Sequence, residues 1–83
     1  MLTLTKIKTD HPDYSFVEEL LHLSFPEAER RDDDAQREQT DRNPQFNCHL
    51  ITDETEKGTV RVGLITTWNL NGFTYVEHLA TSP

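Results

Sequence analysis

Three segments with strand-like patterning follow one another between Phe46 and Ala80, and a single apolar helical stripe precedes them. That imbalance constrains the fold more than any other feature. Phe46, Cys48 and Leu50 alternate with Asn47, His49 and Ile51 over Phe46 to Thr52, which is the period of a strand. Asp53 to Gly58 is polar and ends in glycine, so it predicts a hairpin loop into Val60, Val62, Leu64 and Ile65. Asn71-Gly72 predicts a turn ahead of a last strand, Phe73 to Ala80. Ile51, Ile65, Val76 and Ala80 fall on alternate positions, so both faces of the resulting sheet are partly apolar. One apolar helix can cover only one of them, and the other face needs a partner that these residues do not include.

The remaining segments complete a β-α-(α)-β-β-β order. Leu2, Leu4 and Ile7 among threonines suit a first strand over Leu2 to Lys8, with Lys6 and Lys8 shifting its alternation. A helix is expected after Thr9, with Asp10 as its cap and Pro12 in the first turn. Phe16, Val17, Leu20, Leu21, Leu23 and Phe25 form its apolar stripe, and Pro26 ends it. From Glu27 to Asn43 only Ala28 and Ala35 are apolar, so the segment reads as a polar helix or an ordered loop. The expectation is one α+β domain over residues 1–83 with a largely antiparallel sheet.

Charge narrows the partners. With 15 acidic and 8 basic residues the formal charge is −7, which disfavours nucleic acid and anionic membrane surfaces. The only cysteine, Cys48, leaves no internal disulfide, which suits a reducing cytoplasm. The first residues have neither a basic start nor a long apolar run, so neither a signal peptide nor a membrane span is read there. Cys48 and His49 point to opposite strand faces and no spaced ligand set completes a tetrahedron, so no metal site is expected. The serines lack a nucleophile-elbow context.

Tyr75-Val76-Glu77-His78-Leu79-Ala80-Thr81-Ser82-Pro83 resembles the fourth strand of GNAT acetyltransferases. Val62-Gly63-Leu64-Ile65 resembles the family's third strand, and Phe16 to Phe25 followed by Pro26 its first helix and turn. The resemblance implies the N-terminal half of that fold, and transfer of an acetyl group from acetyl-CoA to a small-molecule or peptide amine. It implies that the family's glycine-rich pyrophosphate loop would lie after Pro83. Gly58, Gly63 and Gly72 are too far apart to replace it.

By that resemblance, the backbone of Leu79, Ala80 and Thr81 is expected to hold the cofactor's pantetheine arm and thioester carbonyl. Glu77 matches a position facing the acceptor, where a carboxylate can take the ammonium proton, best with its pKa raised by burial. Glu77 reads equally well as a cross-strand partner of Arg61. Period two places it with Tyr75 and Leu79, and places His78 on the opposite face. The acidic run Glu27 to Asp34 reads more simply as a solvated face than as a seat for a cationic acceptor. Self-association through the free edge of the last strand is also expected. A self-contained α+β binding module without catalysis is the competing reading.

Overall fold

The computed structural model describes residues 1–83. Strand β1 (Leu2–Lys6) is followed by helix α1 (Tyr14–Ser24), a 3-10 turn at Glu27–Glu29 and helix α2 (Asp33–Arg42). Strands β2 (Phe46–Thr55), β3 (Gly58–Leu70) and β4 (Phe73–Thr81) complete the order. The strands form one antiparallel sheet in sequence order, β1-β2-β3-β4. The architecture is the α+β fold that the sequence implies. No helix is long and apolar enough to cross a membrane.

Both helices lie on one face of the sheet. Val17, Leu20 and Leu21 of α1 meet Phe46, Cys48 and Leu50 of β2, Leu64 of β3 and Ala80 of β4 in a single buried cluster. Ile7 joins it from beyond the end of β1, its N–H still donating to Cys48 O at 2.9 Å. The strand itself stops at Lys6, two residues earlier than expected. α1 starts later than the sequence suggested, because the chain first turns over Lys8 to His11 and the Asp13 N–H is taken by His11 Nδ1. Asp13 occupies the cap position without a side-chain cap, and pairs with Arg61 instead. Pro26 biases Phe25 to extended backbone, so Phe25 leaves the helix. Leu23, expected in the apolar stripe, is 77% exposed.

The polar segment does form a helix, and it buries polar groups. Asp32 caps α2 by accepting the Ala35 N–H, with Asp33 and Asp34 in the first turn complementing the helix dipole. Gln36 and Thr40 are buried, and the Thr40 hydroxyl donates to Gln36 O. Asp41 takes both the N–H and the hydroxyl of Thr9, which ties α2 to the segment after β1. The β2–β3 hairpin is tighter than its polarity suggested. Both strands continue to Thr55 and Gly58, where the Thr55 hydroxyl accepts the Lys57 N–H and donates to Gly58 O, and Gly58 takes φ 117°. At the β3–β4 turn only Gly72 adopts positive φ.

The opposite face of the sheet has no covering layer. Leu4 is paired with Ile51, and Ile65 with Leu79, on that face, while Leu2, Leu4, Val76 and Leu79 are each about half exposed or more. The unequal covering anticipated from the strand patterning is present.

Candidate functional site

β4 departs from regular pairing at one residue. Thr66 of β3 faces His78 and Thr67 faces Val76, so Glu77 is an extra residue, a β-bulge. A bulge turns two successive side chains toward one face. Glu77 and His78 accordingly both lie on the helix side, and Leu79 falls on the other side beside Ile65. Strict alternation predicts Leu79 on the Glu77 face with His78 opposite, and it carries no signal for an inserted residue.

The Glu77 carboxylate is held from three directions. Arg31, from the segment between the helices, donates Nη1 to Oε1 at 2.8 Å and Nη2 to Oε2 at 2.9 Å, and the Trp68 indole N–H donates to Oε2 at 2.7 Å. Arg31 also donates to Gln36 Oε1 at 2.6 Å and lies 5.5 Å from the Phe46 ring centre, a cation–π distance. The partner is therefore Arg31 and not Arg61, which pairs with Asp13 and sits over Phe16. Burial raises the Glu77 pKa, but the hydrogen bonds of Arg31 and Trp68 and the Arg31 charge outweigh it. The carboxyl is held below its ordinary range, not raised toward neutrality.

His78 is buried, with its ring 4.5 Å from that of Phe25. Its Nε2 lies 3.0 Å from Glu29 O and its Nδ1 3.2 Å from Glu77 Oε1. The Glu29 carbonyl can only accept, so Nε2 carries a proton. Three elements thus meet at the bulge: the 3-10 turn through Glu29, the helix connection through Arg31, and β3 through Trp68. Asp33, from the acidic run, contacts His22 at 2.7 Å, which with the Asp32 cap gives part of that run structural partners.

Beyond the bulge, β4 is the edge of the sheet. The Ser82 N–H donates to Val62 O, and Ala80 is paired with Leu64, so even-numbered residues here direct their backbone groups toward β3. By antiparallel alternation the N–H and C=O groups of Leu79 and Thr81 face the open edge. Ala80 instead tucks its methyl group into the core. Gly63 lies so close to β4 that a Cβ there would run into the Ala80 carbonyl oxygen. A cleft of about 210 Å³, lined by Phe16, Glu19, Leu20, Leu23, Ser82 and Pro83, runs between α1 and the end of β4. Among remaining groups with reactive potential, Cys48 is pushed up to about 12 by burial, which keeps it a thiol. No three His, Cys, Asp or Glu side chains are grouped to hold a metal.

The chain is similar to a solved structure, "Putative acetyltransferase from GNAT family from Bacteroides thetaiotaomicron". It is 41% identical, superposes with a TM-score of 0.88, and matches 98% of this chain. The chain has a partial GNAT fold. It spans 44% of that protein's length. No family model matches the chain, and no curated protein does at a significant level.

Within this partial GNAT fold, Arg31 and Trp68 are the site residues that sequence reasoning missed. Arg31 stood in a charged run that reads as solvated, and nothing local distinguishes it from Arg30. The Arg31–Glu77 pair should be visible in stability. Arg31 and Glu77 side chains are 26% and 18% exposed, so Arg31→Ala is expected to cost about 1–2 kcal/mol at neutral pH, less than breaking a fully buried pair. A carboxyl whose pKa is depressed on folding stabilises above its unfolded value and loses that contribution as pH falls through the folded value. Urea denaturation should therefore show the gap between wild type and Arg31→Ala narrowing as pH falls below the ordinary carboxylate range. A gap equally wide there would mean that packing of the Arg31 stem, and not its charge, does the holding.

Proposed function

We propose that this chain supplies the thioester-holding strand and acceptor-facing carboxylate of an acetyltransferase that moves an acetyl group from acetyl-CoA to an amine. The observation that carries the reading is the open edge at Leu79 and Thr81, beginning two residues past the bulged and ionised Glu77, in a chain sharing 41% identity with a GNAT-family protein. The edge fits the cofactor: its backbone groups are unpaired by any strand, and an extended amide-bearing arm can add to such an edge as a strand does. Bound there, acetyl-CoA would supply an activated acyl thioester.

The residues divide the work. Leu79 and Thr81 offer backbone N–H and C=O groups to the arm, and Ala80 keeps that stretch of strand against the core. An edge N–H aimed at a carbonyl oxygen stabilises negative charge developing on it. Glu77, ionised and fixed in orientation by Arg31 and Trp68, takes the proton of the incoming ammonium, directly or through a water, at Oε1, which accepts one Arg31 hydrogen bond while Oε2 accepts two. No glycine of this chain forms a phosphate cradle: Gly58 and Gly72 make turns, and Gly63 lies against Ala80. The pyrophosphate is held by residues outside this chain, and the single unpaired Cys48 suits a cytoplasmic setting.

The test compares the 83-residue chain with the whole reading frame that contains it. The whole protein is expected to release CoA thiol when given acetyl-CoA and an amine, and the chain alone to release none and to bind CoA too weakly for micromolar calorimetry. Tight, saturable CoA binding by the chain alone would count against this division of the site. In the isolated chain the same β4 edge is open to a second copy, so a concentration-dependent dimer in the analytical ultracentrifuge accompanies this reading.

A further inference from the structure

The β3–β4 ribbon reaches past the layer that covers it. β2 begins at Phe46, opposite Trp68, so beyond that rung the sheet is two strands wide. On β3, Leu64 and Thr66 face the helices, and alternation places Trp68 and Leu70 on the same side. Their partners across the ribbon are Tyr75 and Phe73. Leu70, Phe73 and Tyr75 are 40%, 61% and 52% exposed. They form an apolar ledge on the Glu77 side of the sheet, joined to it by the indole that donates to Glu77. No charged residue occurs from Val62 to Val76, although 28% of the chain is charged. Aromatic residues gathered where charge is depleted are the composition of a binding surface and not of an ordinary solvated hairpin.

We infer that this ledge seats the acceptor, and that the acceptor is an amine carrying a flat apolar body. The inference rests on the reading of Glu77 as facing the acceptor. Two observations select an amine over a neutral or anionic ligand. The net charge of −7 draws cations toward the surface, and the rings of Phe73 and Tyr75, 61% and 52% exposed, attract an ammonium at their faces and pack against hydrocarbon. Arg31 and Trp68 already donate three hydrogen bonds to Glu77 and the Arg31 charge offsets its own, so Glu77 by itself holds an ammonium weakly. Selectivity then comes from the body of the acceptor lying on the ledge, with Glu77 serving the proton.

The test needs no cofactor. The chain is titrated with 2-phenylethylamine, with ethylamine, which lacks the ring, and with 2-phenylethanol, which lacks the ammonium. The signals are the fluorescence of Trp68, the single tryptophan, and the amide resonances of residues 68–77. Phenylethylamine is expected to bind about tenfold more tightly than either comparison compound, and Tyr75→Ser to weaken it about fivefold while the spectrum stays dispersed. Equal binding of ethylamine would overturn the apolar body, and equal binding of phenylethanol would overturn the amine. Unchanged binding by Tyr75→Ser would overturn the ledge. None of these outcomes bears on CoA thiol release by the whole protein, so this inference and the acetyl-transfer reading fail separately.

Discussion

Phe46→Ala is expected to cost about 4 kcal/mol, the penalty for removing a large aromatic side chain from a core that cannot collapse around the gap. Phe46 is fully buried. Its ring packs edge-on against Trp68 at 5.1 Å and supports Arg31 from below, so the cavity would open beneath the residues that orient Glu77. A domain of this length has a total stability on the order of 4–12 kcal/mol. The variant should therefore unfold at far lower urea and lose amide dispersion, or fold with Trp68 fluorescence altered. Val60→Ala is the control, since Val60 is 49% exposed on the same sheet, and should shift the midpoint little. A Phe46→Ala midpoint close to that of Val60→Ala would mean that the core does not run through Phe46.

That core was legible because it obeys the periodicities that chain geometry imposes. Phe46, Cys48 and Leu50 alternate, Val17, Leu20 and Leu21 recur at helical spacing, and each set is buried. The site was legible only in part, for identifiable physical reasons. α2 buries Gln36 and Thr40, and a hydrophobic pattern cannot register burial whose partners are polar. Arg31 and Glu77 are 46 residues apart, and no local feature of either signals the other. The bulge at Glu77 leaves no trace in composition, yet it decides which residues share a face. It brings His78 beside Glu77 and turns Leu79 away, so the open edge begins two residues after the carboxylate without competing for one surface. The hairpin at Glu56-Lys57 was read as a longer loop because Asp53 and Glu54 are polar, but polar residues pair along an exposed strand end without cost to its backbone hydrogen bonds.

The bulge gives Glu77→Gln the largest expected effect on chemistry. The amide keeps the size and shape of the carboxylate and can still accept one hydrogen bond from Arg31 or Trp68, but it cannot take a proton. In the whole protein the turnover number is expected to fall about a hundredfold, within the usual contribution of a general base, while the KM for acetyl-CoA changes little because the proposed cofactor contacts lie at Leu79 and Thr81. The pH profile carries the sharper test. Burial raises the Glu77 pKa, yet Arg31 and Trp68 together hold it below its ordinary value of 4.5, so the base form persists down into acid. The wild-type rate should fall only as pH drops below the ordinary carboxylate range, and that acidic limb should vanish in Glu77→Gln. Arg31→Gln removes the charge that depresses the pKa, so the limb should move to higher pH, with turnover reduced less than in Glu77→Gln. A wild-type limb near neutral pH, or one that persists in Glu77→Gln, would assign the proton transfer to another group and leave Glu77 as the anchor of Arg31.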